Sequence, residues 1–156
     1  MDGHARECGQ HGSHVPRFDP RLKACLVPPD EVAAVWPEAV PHLAKALAVA
    51  GDYRPEDARQ KLADLEWQLF IAALPGRIVS AALTEIHTYP LRKVLWVHAA
   101  GGLGEGVAIM MPMASAFARL QLCREIRFCG RRGWLRSGFA PNTARHVADV
   151  VKIEVR

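Results

Sequence analysis

Two apolar periods run along this chain, and the places where one gives way to the other mark its elements. Trp36, Val40, Leu43, Leu47 and Ala50 recur at helical spacing and form one stripe. Asp30 is the expected N-cap, Pro37 and Pro41 confine the regular helix to about 38–50, and Gly51 stops it. A second helix opens at Arg54-Pro55-Glu56-Asp57, with proline in the first turn and acids at the positive end of the dipole. Lys23 to Val27 reads as a short first strand. Three β-rich runs follow the helices: Trp67–Ala73, Ile78–Tyr89 and Lys93–Ala99. Their links, Leu74-Pro75-Gly76-Arg77 and Tyr89-Pro90-Leu91-Arg92, are turn-like, so an antiparallel meander is predicted.

Beyond the glycines at 101–106 the helical period returns with Met113, Phe117 and Leu120, and Pro112 suits the first turn of that helix. Glu125–Cys129 is a short strand. Strand, helix and strand in succession predict a right-handed crossover and a parallel pair. At the tail, Val147, Val151, Ile153 and Val155 alternate with His146, Lys152, Glu154 and Arg156, the pattern of a half-solvated closing strand.

Composition changes this picture in three places. The 156 residues fit one domain, expected at 21–156, because residues 1–20 are too poor in apolar side chains to fold alone and read as a flexible arm. No apolar run approaches the roughly 18 residues of a membrane span, and no signal-type h-region opens the chain. Four scattered cysteines, Cys8, Cys25, Cys123 and Cys129, do not suggest a disulfide framework. The formal charge is +4, but seven arginines stand against one acid, Glu125, between Arg119 and Arg145. That asymmetry points to an anionic partner. A nucleic acid is the weaker choice, since the segment lacks the interleaved aromatics of a stacking platform.

Strand, two helices, meander, helix, parallel strand and terminal strand is the element order of the N-acetyltransferase-like (GNAT) fold. The fold class expected is α+β: a mixed, mostly antiparallel sheet with a parallel pair between its fourth and fifth strands, and helices on both faces. Two runs carry a narrower likeness. Gly76-Arg77-Ile78-Val79-Ser80-Ala81-Ala82-Leu83-Thr84-Glu85-Ile86 with Tyr89-Pro90 and Lys93-Val94-Leu95-Trp96-Val97 is one. Leu122-Cys123 with Ile126, Phe128 and Gly130-Arg131-Arg132-Gly133-Trp134 is the other. Both resemble small GNAT-like proteins encoded by tailed bacteriophages, over about residues 30–156. Among such proteins the fold can appear as a virion component.

An active GNAT enzyme, by the same resemblance, places Arg or Gln, two residues, Gly, one residue, then Gly or Ala between the fourth strand and its helix. Backbone N–H groups there cradle the coenzyme A diphosphate. Here the segment is His98-Ala99-Ala100-Gly101-Gly102-Leu103-Gly104-Glu105-Gly106. Pairing Gly102 with Gly104 puts Ala99 in the Arg/Gln position, and pairing Gly104 with Gly106 puts Gly101 there. Glu105 would set a carboxylate beside a diphosphate, and a helix starting at Pro112 would draw its N-terminus away, whereas Pro112 kinking a longer helix would restore the cradle in part. The glycines then read as a flexible loop using positive φ. No tyrosine follows Tyr89 to act as the family's acid. Glu85, His87 and His98 are candidate general bases provided they line one cleft.

The expectation is therefore a GNAT-fold binding protein with a degenerate acetyl-CoA site and no cofactor, a head-, portal- or tail-associated virion component found in the particle or in host cytoplasm. Its partners would be other virion proteins or itself, gripped through Arg131, Arg132, Trp134 and Arg136. The alternative is an N-acetyltransferase that moves acetyl from acetyl-CoA, held at Gly102 and Gly104, to an amine. No metal site is expected: His4, Cys8, His11 and His14, with Cys25 further on, match no common zinc spacing.

Overall fold

Among the described residues one five-stranded sheet organises the fold, with its strands in sequence order. The computed structural model describes residues 18–130 and 145–146. The arm up to Arg17, the basic turn with Arg131, Arg132, Trp134 and Arg136, and the expected strand at 147–155 lie outside the described residues. The elements are β1 (Lys23–Leu26), a 3-10 turn (Pro29–Glu31), α1 (Val32–Ala50), α2 (Pro55–Ala63), β2 (Trp67–Leu74), β3 (Arg77–Tyr89), β4 (Arg92–Gly102), α3 (Gly104–Leu120) and β5 (Cys123–Phe128). Neighbours from β1 to β4 pair antiparallel, while β4 and β5 run parallel. This is the fold class the sequence predicts.

The two sheet faces carry separate cores. Trp36, Ala39, Leu43 and Leu47 of α1 and Ala58 and Leu62 of α2 cover one face, against Leu69, Ile71, Ala81, Leu83 and Ala99. Met110, Ala114 and Ala118 of α3 cover the other, against Phe70, Ala72, Val79 and Leu95. Turn and cap chemistry follows the sequence at α2, where Arg54 N–H donates to Asp57 Oδ2 at 2.9 Å, and at Gly51, whose φ of 74° closes α1 onto Leu47.

Two helix boundaries differ from expectation. Asp30 falls in the 3-10 turn, and α1 begins at Val32 without a side-chain cap, then runs straight through Pro37 and Pro41. Each interior proline removes a hydrogen bond and costs about 3 kcal/mol even in an exposed helix interior. Both prolines here are exposed, so the freed carbonyls meet water, while the opposite face buries five residues. The same exchange corrects α3: Pro112 lies exposed inside it, and the helix begins at Gly104, directly after β4.

Its first turn is bolted to β3. Leu103 N–H donates to Val79 O at 2.9 Å, and Ser80 Oγ donates to Leu103 O at 2.7 Å. The loop glycines are mostly contact glycines, since only Gly102 has positive φ (104°). A Cβ on Gly101 would stand 2.0 Å from His42 O of α1, and one on Gly106 would stand 2.2 Å from Ser80 Oγ. Gly106→Ala should gain about 1 kcal/mol of helix propensity yet lose more by prising α3 off the sheet. The net expectation is a loss of about 1–2 kcal/mol, read from the denaturation midpoint. A stabilised Gly106→Ala protein would show that α3 tolerates the shift.

Among the described residues Cys25, Cys123 and Cys129 are free thiols. No described helix is long and apolar enough to cross a membrane.

Candidate functional site

Glu85 sits in the outer half of β3, and sheet register gives it a tryptophan on each side: Trp67 of β2 and Trp96 of β4 are its cross-strand partners. Two residues further along the same face is His87. His98 arrives by a different device. Leu83 pairs with Ala99 and Thr84 with Val97, so His98 is the extra residue of a β-bulge in β4. Bulges re-aim a side chain, and this one turns the His98 ring over Trp67.

Three donors converge on one carboxylate oxygen. Glu85 Oε2 lies 2.7 Å from His98 Nε2, 3.0 Å from His87 Nε2 and 3.1 Å from Trp67 Nε1. Burial raises the Glu85 pKa, but hydrogen bonds from His87 and His98 outweigh it and hold the carboxyl below its usual range. An ionised carboxylate only accepts, so both histidines present Nε2–H to it. His98 therefore keeps its lone pair on Nδ1, and His87 Nδ1 faces the hydroxyl of Tyr89 at 3.4 Å. Burial depresses the His98 pKa, partly opposed by its bond to Glu85, which keeps the ring neutral near pH 7. The side chain of His98 is 13% exposed.

Aromatic rings fix these groups. His98 stacks on Trp67 with centroids 4.1 Å apart and planes 12° from parallel. Tyr53, from the link between α1 and α2, meets both edge-on at 5.6 and 4.8 Å. His87 lies over Trp96 at 5.8 Å and 17°.

The second half of the site is backbone. The last β4–β5 pair is Val97 with Phe128, whereas β4 continues to Gly102. From His98 onward that edge of β4 has no strand partner among the described residues. It leads straight to the start of α3, where Val107 N–H is the first to find a helical carbonyl, Leu103 O at 3.1 Å. The N–H groups of Gly104, Glu105 and Gly106 are left without intrahelical acceptors, at the positive end of the helix dipole. That is the backbone part of an anion cradle. No Arg or Gln side chain accompanies it in the loop, and Glu105 is exposed in the first turn.

No family model matches this sequence, and no curated protein matches it. Solved structures do match. An aminoglycoside acetyltransferase from an uncultured soil metagenomic sample, in complex with sisomicin, superposes with TM-score 0.58 at 13% identity, covering 85% of this chain and 97% of that one. The ribosomal-protein-alanine N-acetyltransferase of Brucella melitensis biovar Abortus 2308 gives 0.56 at 14%, over 86% and 98%. A predicted acetyltransferase from Clostridium acetobutylicum with acetyl-CoA gives 0.50 at 11%, over 82% and 96%. The chain has the GNAT acetyltransferase fold.

This corrects the expectation of a virion or assembly component acting only by binding. The structures with this fold are described as acetyltransferases, and the displaced helix start that was to disable the cradle is not there. The enzymatic alternative is the better supported of the two. Of the residues singled out in sequence, Glu85, His87 and His98 come together, and Gly102 and Gly104 frame the turn into α3. The four partner-binding candidates, Arg131, Arg132, Trp134 and Arg136, lie outside the described residues. Sequence reading missed Tyr53, Trp67 and Trp96 as walls of the site. Two of them are set by strand register, which the local pattern does not encode.

Proposed function

We propose that this chain is an N-acyltransferase that moves acetyl from acetyl-coenzyme A to an amine. The observation that carries the reading is the position of His98. It is the first residue past the last β4–β5 pair, it is re-aimed by the bulge, and it is held by an ionised Glu85.

When bound, acetyl-coenzyme A supplies an activated thioester carbonyl. The N–H groups of Gly104, Glu105 and Gly106 would hold its diphosphate, and the edge of β4 that has no strand partner among the described residues would offer backbone donors and acceptors to its amide-bearing arm. The arginine-rich segment that β5 opens adds positive charge suited to an anionic ligand. On the acceptor side, His98 Nδ1 takes a proton from the attacking amine. Glu85 keeps Nε2–H in place and stabilises the imidazolium that results, by a charge-assisted hydrogen bond. A thiol of pKa about 8.5 leaves readily as thiolate, so the lack of a tyrosine after Tyr89 lowers the rate without blocking the reaction. The domain is taken as residues 21–156 with residues 1–20 as an arm. The finer likeness to phage-encoded proteins rests on the two sequence runs and bears on origin, not on this chemistry.

Calorimetric titration with acetyl-CoA tests the cradle, and thiol release with a panel of amines tests the transfer. The panel begins with an aminoglycoside and an alanine-terminated peptide, the acceptor types named for two similar structures. Micromolar binding and amine-dependent release are expected. Absence of binding at millimolar acetyl-CoA would end the proposal. Glu105→Arg should tighten binding roughly tenfold at low salt, because it replaces a repelling charge at the dipole's positive end with an attracting one. Unchanged affinity in that variant would place the diphosphate elsewhere.

A further inference from the structure

We propose that Glu85, His87 and His98 form a binding site for one divalent transition-metal ion of the zinc type. Their ligand atoms, one carboxylate oxygen and two imidazole nitrogens, all lie within 4.8 Å of one another. Zinc sits about 2.0–2.2 Å from such atoms, which places them roughly 3.3 Å apart. Glu85 Oε2 is already 2.7 and 3.0 Å from the two Nε2 atoms, so a small withdrawal of the carboxylate opens the space. Two imidazoles with one carboxylate favour zinc and its transition-metal neighbours over magnesium or calcium, which take all-oxygen ligands.

The donors are held as a metal site needs. They stand on adjacent paired strands, not on loops. Trp67 and Trp96 fix the two ring planes by stacking, and Trp67 Nε1–H steadies Glu85. When Nε2 of His87 binds an ion, its proton moves to Nδ1, where the Tyr89 hydroxyl stands ready to accept it. Outer partners of this kind orient a ligating histidine. Three protein donors leave a coordination position open for water.

Occupation of the site has a chemical consequence that rests on the proposed acyl transfer. An ion on His98 Nε2 forces the ring proton onto Nδ1, the nitrogen that serves as base. Metal binding and transfer are mutually exclusive, and the ion acts as an inhibitor.

The test uses the full chain. Because His4, Cys8, His11 and His14 are also zinc-type donors, the Cys8→Ala/His11→Ala/His14→Ala variant provides the background. Titration with zinc against a chromogenic chelator should give one ion per chain at micromolar affinity or better. His87→Ala, His98→Ala and Glu85→Gln should each weaken it at least tenfold, since even outer partners of a metal site are worth about 10–100-fold. Circular dichroism checks that each variant is folded. Cobalt(II) in place of zinc should give visible d–d absorption that the same variants lose. Binding that disappears with the arm donors, or that survives in His98→Ala, would overturn the site. Amide product should fall with zinc occupancy and return on chelation. Site-dependent zinc binding with undiminished product would keep the metal site and remove His98 from the role of base.

Discussion

Replacing His98 with asparagine lowers acyl transfer by about 10²–10⁴-fold at saturating substrates, the range a positioned general base supplies. Asparagine is too short to reach Glu85 from where Nε2 stood, and its amide offers no basic lone pair at the Nδ1 position. The loss should appear in kcat, with acetyl-CoA affinity unchanged, because the cradle at Gly104–Gly106 belongs to other atoms. Added imidazole should recover part of the rate. Glu85→Gln should produce a smaller fall, since a neutral amide no longer stabilises the imidazolium. The measurement is amide product under single-turnover conditions. A His98→Asn enzyme within a few-fold of the parent would show that the amine loses its proton to another group.

The largest expected effect on folding belongs to Trp67. Only 3% of it is exposed, and it is the first residue of β2, the stacking platform for His98 and a hydrogen-bond donor to Glu85. Trp67→Ala should cost about 3–5 kcal/mol, combining lost burial with the cavity left behind. Trp67→Phe keeps much of the apolar contact and loses the indole N–H, so it should cost clearly less. Denaturant unfolding followed by circular dichroism separates the two. If alanine and phenylalanine proved equally destabilising, the hydrogen bond to Glu85 would outweigh the packing. If neither mattered, the aromatic wall would be ornamental to the fold.

Much of the architecture was legible from periodicity. The meander followed from three β-rich runs with short turns, α2 from Pro55 and its acids, and the parallel β4–β5 pair from the strand–helix–strand order. Proline misled twice, at Pro37 and Pro41 and again at Pro112, because burial of the opposite helix face offsets its cost, and local sequence does not show how much that face buries. The error at Pro112 carried into function, since an anion cradle depends on where a helix begins. Glu85, His87 and His98 were visible as chemistry but not as a cluster. Their meeting depends on the pairing of Trp67 with Glu85 and on one extra residue in β4. The glycines at 101 and 106 looked like flexibility, yet they are points where backbone or a serine comes too close for any side chain.

That extra residue makes β4 a strand with two phases. Before it, Leu95 belongs to the core beneath α3; after it, Ala99 faces α1 and α2, and Ala100 faces α3. Odd positions point one way in the first half and the opposite way in the second. Deleting residue 98 would restore a single phase without turning the strand's end, because Val97 and Ala99 already pair with the consecutive residues Thr84 and Leu83. Gly101 would still face His42 O, Ala99 would keep its core and the junction that launches α3 from Gly102 would keep its aim, so that only the imidazole over Trp67 would be lost. The extra residue of β4 thus serves one side chain alone, lifting the imidazole over Trp67 without disturbing the path of the strand into α3.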